Sequence, residues 1–146
     1  MSFPDDIGAF FAAHGIPFVA GRILGHLLVS EAPEQSFEDL CREVGASRAS
    51  VSTMTRLLIQ LGLIERRPGR GRTLVYRVRD DAWTQLLEDD LASAIRLREL
   101  ASQGLRQLAG RPTASRRRLT EMRDFYAFLE TRTRSVVDAW NKRRKR

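Results

Sequence analysis

The chain has one cysteine and two histidines in 146 residues, and these scarcities exclude a good deal. A single Cys41 cannot close an internal disulfide, which fits a reducing compartment. It lies on the apolar stripe of a short helix and reads as a small packed hydrophobe, with a redox-sensing thiol as the alternative. His14 and His26 are far from Cys41 and from each other, so no metal site follows from spacing, and no cofactor is expected. No segment approaches the roughly 20 apolar residues of a membrane-spanning helix, so no membrane partner is expected. The start, Met1-Ser2-Phe3-Pro4-Asp5-Asp6, is acidic rather than basic and does not resemble a secretory signal. Also missing are a phosphate-binding glycine loop, a nucleophile with its base, and paired carboxylates. Asp89 and Asp90 are adjacent on a helix and point about 100° apart. An enzyme is therefore not expected.

What is abundant is positive charge. The formal net charge is +7, which points to a polyanionic partner. The charge has a place in the pattern between Ser36 and Val78. Phe37, Leu40, Cys41 and Val44 repeat at helical spacing, with Ser36 and Asp39 placed to cap the helix start. After the Gly45-Ala46 turn a second helix opens at Ser47. Val51, Met54, Leu58 and Leu61 give its buried stripe, and Gly62 ends it. The opposite side carries Arg48, Ser50, Ser52, Thr53, Thr55 and Arg56. Surface helices usually use stronger helix formers than Ser and Thr, whereas short hydroxyls suit close approach to phosphates and base edges. Two β-prone runs follow, Leu63 to Arg67 and Arg72 to Val78, joined by Pro68-Gly69-Arg70-Gly71. Arg66, Arg67, Arg70, Arg72, Arg77 and Arg79 stand there against Glu65 alone. Guanidinium is the group best matched to phosphate and guanine edges.

This order is that of a winged helix-turn-helix. The expected fold is mainly α with a small β-wing, flanked by long N- and C-terminal dimerisation helices. Residues 1–16 are expected as an N-terminal dimerisation helix, 17–79 as the DNA-binding domain, and 80–146 as a two-helix dimerisation region with a basic tail. The expected DNA-binding set is Ser36, Ser47, Arg48, Ser50, Ser52, Thr53, Thr55, Arg56, Arg66, Arg67, Arg70 and Arg72. Ahead of it, a helix over Asp5 to His14 stops at Gly15. Pro17 restarts one with the stripe Ile16, Val19, Ala20, Ile23, Leu24, Leu27 and Leu28. Ser30 to Gln35 reads as a loop.

After the wing, Asp80 is placed to cap a long helix with Leu87, Leu91, Ala94, Ala101, Leu105 and Leu108 on one face, interrupted by Arg98. Gly110 and Pro112 end it. The last helix, capped by Thr113 or Ser115, shows Leu119, Met122, Tyr126, Leu129, Thr133, Val136 and Trp140 at alternate spacings of three and four, a heptad-like seam. Phe125 and Phe128 widen its apolar face, enough for one partner within the chain and one outside it. A homodimer follows as the expectation, with Leu119, Met122, Tyr126, Leu129, Val136 and Trp140 at the interface. Its two readers would meet a pseudo-palindromic double-stranded DNA site with half-sites about 34 Å apart. The basic run from Asn141 to Arg146 reads as a solvated tail. A non-specific DNA-coating protein and a winged-helix module that contacts only protein are the competing readings.

Gly15-Ile16-Pro17 with Ala20-Gly21-Arg22-Ile23, then Ser47-Arg48-Ala49-Ser50-Val51-Ser52 and Leu61-Gly62-Leu63-Ile64, resemble the MarR family of winged-helix regulators, and within it the GbsR-like branch. The resemblance covers roughly residues 5 to 79. It implies a cytoplasmic, nucleoid-associated dimer of a bacterium or archaeon. It also implies repression released by a small molecule lodged between dimer helices and reader, which would reset the spacing of two recognition helices. Some relatives answer to choline-like cations, which are held by ring faces. Phe10, Phe11, His14, Phe18 and Tyr126 are the candidate pocket residues, with Phe125 and Trp140 as further aromatics. The family offers no residue-by-residue match for that pocket, and core packing is the competing role of each ring.

Overall fold

The computed structural model describes residues 2–146. Among them the chain forms α1 (Phe3–Ala13), α2 (Phe18–Val29), β1 (Gln35–Ser36), α3 (Phe37–Val44), α4 (Arg48–Gln60), β2 (Ile64–Pro68), β3 (Leu74–Val78), α5 (Ala82–Gln107) and α6 (Thr113–Arg144). Two compact units result, one running up to Ala82 and the other Trp83–Arg146. The division falls just after the wing. It joins α1, expected as a separate dimerisation element, to the same unit as the reader helices.

In the first unit, α1 begins at a capping box. The Asp5 N–H donates to Ser2 Oγ at 3.3 Å and the Ser2 N–H to Asp5 Oδ2 at 3.4 Å. The Ser2 hydroxyl bond, with help from Arg22 of α2, holds the Asp5 carboxyl below the usual carboxylate range. The two helices then meet backbone to backbone. A Cβ on Gly21 would stand 2.6 Å from both Gly8 Cα and Ile7 O, and one on Gly25 would stand 2.7 Å from Pro4 Cα. With its glycines against α1, α2 turns Ala20, Ile23, Leu24 and Leu27 into the core. There they join Leu40 and Val44 of α3, Val51 and Leu58 of α4, Leu63, Ile64, Tyr76 and Ala82.

The helix-turn-helix follows from local signals. Ser36 caps α3, with the Asp39 N–H donating to its Oγ at 3.0 Å and its own N–H donating to Asp39 Oδ2 at 3.1 Å. The Ser36 N–H, followed by the Arg42 guanidinium, lowers the Asp39 carboxyl pKa. Gly45 ends α3 at φ 67°, a left-handed conformation that costs glycine little. Ser47 caps α4 by accepting the Ser50 N–H at 3.1 Å. The sheet order is β1-β3-β2, antiparallel throughout, with Arg66 opposite Tyr76 and Gln35 opposite Tyr76 on the other edge. Strand β1 was expected as the end of a loop; it is two polar residues long, too short to show any period.

In the second unit, α5 and α6 run antiparallel. Trp140 Nε1–H donates to Thr84 Oγ at 2.8 Å, and Arg144 donates to the same hydroxyl. Arg98 Nε donates to Glu130 Oε2 at 2.7 Å. A Cβ on Gly104 would lie 2.8 Å from Leu119 Cδ1. The Arg98 interruption of the α5 stripe is thus answered by a carboxylate on α6, and its hydrogen bond lowers the Glu130 pKa. Ala94, Ala101, Leu105 and Val137 are buried here. Val136, expected at a dimer interface, is 51% exposed in the single chain, together with Phe125 and Phe128. Val136 and Val137 sit about 100° apart on the helix, and Val137 is the one buried within this unit. The start of α6 also differs from expectation: Pro112 is the N-cap, and no side chain caps there, neither Thr113 nor Ser115.

Two tests follow. Gly21→Ala should destabilise the chain by about 1–3 kcal/mol, read from urea unfolding, because its methyl meets backbone atoms that cannot rotate away. Glu130→Gln should lower stability at pH 7. A depressed carboxylate stabilises above its unfolded pKa and loses that contribution as pH falls through the folded value. The gap between Glu130→Gln and wild type should therefore narrow as the pH falls below the ordinary glutamate range.

Candidate nucleic-acid interface

Helix α4 buries Val51, Thr55 and Leu58 and leaves Arg48, Ala49, Thr53, Arg56 and Gln60 exposed, with Ser50 and Ser52 between. The position of Thr55 corrects the expectation that it faces DNA. It is 2% exposed and its hydroxyl donates to Ser52 O at 3.0 Å. It stands four residues after Val51 and three before Leu58, which is the buried stripe itself; the hydroxyl is tolerated there because the helix supplies its acceptor. The Thr53 hydroxyl donates to Ala49 O at 3.0 Å and remains on the outer face.

Arg48 is exposed but engaged. It donates to both oxygens of Glu38 at 2.7 and 2.6 Å, and its guanidinium lies 5.0 Å from the Phe37 ring centroid. The Glu38 bond raises its pKa further above the ordinary arginine value. Its role in this structure is to tie the start of α4 to the start of α3. Ser47 and Ser36 likewise serve as caps. Ser36 also lines a groove of about 430 Å³ with Phe37, Glu38, Ser52, Arg72, Thr73, Leu74 and Tyr76. This groove brings Ser36, Ser52 and Arg72, far apart in the chain, to one place. Thr73 and Tyr76 belong to it too, and no feature of the sequence singled them out.

The wing divides its arginines into two groups. Glu65 lies 3.4 Å from Arg67 and 3.5 Å from Arg77, Asp80 lies 2.9 Å from Arg77, and Arg79 donates to Asp81. That last bond raises the Arg79 pKa. Arg66, Arg70 and Arg72 are exposed and make no ion pair among the described residues. Asp80, expected as the cap of α5, thus accepts from Arg77. The tip is closed by Gly69 N–H donating to Thr73 O at 2.7 Å, with Gly71 at φ 64°. Three unpaired guanidinium groups on a hairpin beside α4 form a surface able to meet phosphates without first breaking a salt bridge.

The candidate aromatic residues belong to both units. Phe10 stacks on His14 with centroids 4.3 Å apart, and Phe11 packs on the core. Phe18 covers Gly8 and lies 5.9 Å from the Arg22 guanidinium. Tyr126 belongs to the second unit and meets Phe125 edge-on at 4.9 Å. Each ring has a neighbour within its own unit.

Comparisons with known proteins agree with this geometry. A MarR-family model matches residues 14–72, and one described as MmpR5-like MarR family transcriptional regulator matches residues 81–143. Neither description names the GbsR-like branch. The HTH-type transcriptional regulator MmpR5 of Mycobacterium tuberculosis is 35% identical over 98% of this chain and 87% of its own length. A crystal structure described as a transcriptional regulator shares 35% identity and superimposes with a TM-score of 0.85 over 96% of both chains. With a winged helix of this form and a relative this similar along nearly its whole length, the chain belongs to the MarR family of transcriptional regulators, and is not an enzyme.

Proposed function

We propose that this regulator acts as a homodimer on a pseudo-palindromic duplex, with α4 in the major groove and the wing on the minor groove or backbone. The observation that carries this reading is the pairing of two kinds of exposed or half-exposed group on adjoining elements. Hydroxyls at Ser52 and Thr53 and the cation of Arg56 lie on α4, while Arg66, Arg70 and Arg72 stand unpaired on the wing. Phosphate contacts position a protein and base contacts specify, and the two elements supply one of each. Repression, with release by a small molecule, is the regulatory mode this reading carries. The site of action is the cytoplasm, and among the described residues no helix is long and apolar enough to cross a membrane.

Dimerisation is supported by exposed apolar side chains on the second unit. Phe125, Phe128 and Val136 of α6 are between 51% and 58% exposed, and Trp83, Leu86 and Leu100 of α5 are exposed as well. Leu119, Val137 and Trp140 are meanwhile engaged by α5 within the chain. The α6 helix therefore turns Leu119 and Trp140 of its expected seam toward α5 and offers Phe125, Phe128 and Val136 to a partner. Large exposed apolar faces of this kind mark association sites.

On duplexes selected from a random pool, Arg70→Ala with Arg72→Ala should weaken binding to selected and scrambled sequences alike, and flatten the log-log salt dependence by about two per protomer, or about four for the dimer. Thr53→Ala should instead change which bases are preferred. Equal affinity of the wild type for selected and scrambled duplexes would favour a non-specific DNA coat. Phe125→Ser with Phe128→Ser should shift the protein from dimer to monomer in analytical ultracentrifugation while leaving helical circular dichroism unchanged, since both rings are exposed in the single chain.

A further inference from the structure

The end of the second unit where α5 turns into α6 carries an unusual charge. From Leu100 to Thr120 the sequence holds Arg106, Arg111, Arg116, Arg117 and Arg118 and no aspartate or glutamate. Part of this charge lines a cleft. Ser102, Leu105, Arg106 and Ala109 come from α5 and the turn after it, and Arg116 and Arg123 from α6, around a volume of about 380 Å³. Arg123 pairs with the neighbouring Asp124 at 3.2 Å. Arg106 and Arg116 make no ion pair among the described residues. The Nε of Arg116 is moreover shielded from solvent and donates to nothing there. The rest of the Arg116 side chain is half-exposed, and three cations round one cleft repel one another. An oxyanion held by their outer N–H groups would relieve that repulsion.

We infer that this cleft binds a small phosphate-bearing molecule, with Arg116 as the central donor, Arg106 and Arg123 as flanking charges, and Ser102 as a neutral hydroxyl. Guanidinium forks match phosphate oxygens in pairs. Leu105 and Ala109 give the cleft an apolar side, suited to a short carbon skeleton attached to the phosphate. The volume is at the small end of ligand sites, which suits a compact ligand of this kind. Because it bridges α5 and α6, such a ligand would stiffen the helical hairpin, and binding would raise thermal stability by mass action. The inference is independent of the DNA-binding reading, as none of these residues lies in the first unit.

The full-length protein, titrated calorimetrically with inorganic phosphate and with glycerol 3-phosphate at constant ionic strength, tests it. Saturable binding of both is expected, with glycerol 3-phosphate tighter. Arg116→Gln should weaken it tenfold or more, and Arg116→Lys should restore part of it. Unchanged binding in Arg116→Gln, or loss of binding in Arg70→Ala with Arg72→Ala, would overturn the assignment, the latter by placing the phosphate on the wing. Vesicles containing phosphatidylglycerol distinguish the source of the phosphate. Arg116-dependent binding to vesicles with none to the soluble compounds would replace the small ligand with a lipid headgroup. Should Arg116→Gln fail to fold, Arg106→Gln and Arg123→Gln give the same reading, and wild-type melting unaffected by phosphate relative to chloride of equal ionic strength would end it.

Discussion

There is no room for a methyl group on Gly21, because Gly8 Cα and Ile7 O occupy the space its Cβ would need. This close approach gives α2 two different faces. Glycine lies toward α1, and Ala20, Ile23, Leu24 and Leu27 lie toward the reader. With α2 fixed from one side, the apolar stripes of α3 and α4 have a rigid surface to pack against, and the Ser36 and Ser47 caps set where each helix begins. The Tyr76 strand completes the core from the sheet side. The groove shared by Ser52 and Arg72 thus depends on a contact between helices that take no part in it.

The reader was legible because its signals are local. A capping serine, a glycine with positive φ and a four-point apolar stripe each act within one or two turns, and they place α3 and α4 to within a residue or two of where they stand. Thr55 shows where residue chemistry misleads. Its hydroxyl suggested an outward position, whereas the spacing from Val51 and Leu58 already placed it inside. Arg48 was legible as a cation near the start of α4, but its bond to Glu38 joins residues ten apart across a turn, and composition carries no sign of such a pairing. The same holds for the wing, where charge counting cannot separate the arginines held by Glu65, Asp80 and Asp81 from those left unpaired.

The long helices were legible in extent and less so in orientation. A helix such as α6, with apolar residues at 119, 122, 125, 126, 128, 129, 136, 137 and 140, contains two overlapping stripes. Periodicity does not say which one meets α5. The choice is made by three interactions distant in sequence: Thr84 with Trp140, Arg98 with Glu130, and Gly104 with Leu119. Strand β1 was illegible for a different reason, since two polar residues become a strand only because Val75 and Tyr76 are there to pair with them.

The Arg48 clasp bears on how grip and discrimination are shared. With that guanidinium committed to Glu38, α4 presents Arg56 as its one full charge without a carboxylate partner among the described residues, and otherwise small neutral groups. The charges without a carboxylate partner on these two elements then lie chiefly on the hairpin. Under the proposed docking, drift in the hydroxyl-bearing positions of the helix would retune which site is chosen while the strength of adhesion stays nearly constant, so new targets could be acquired without the chain becoming either sticky or weak.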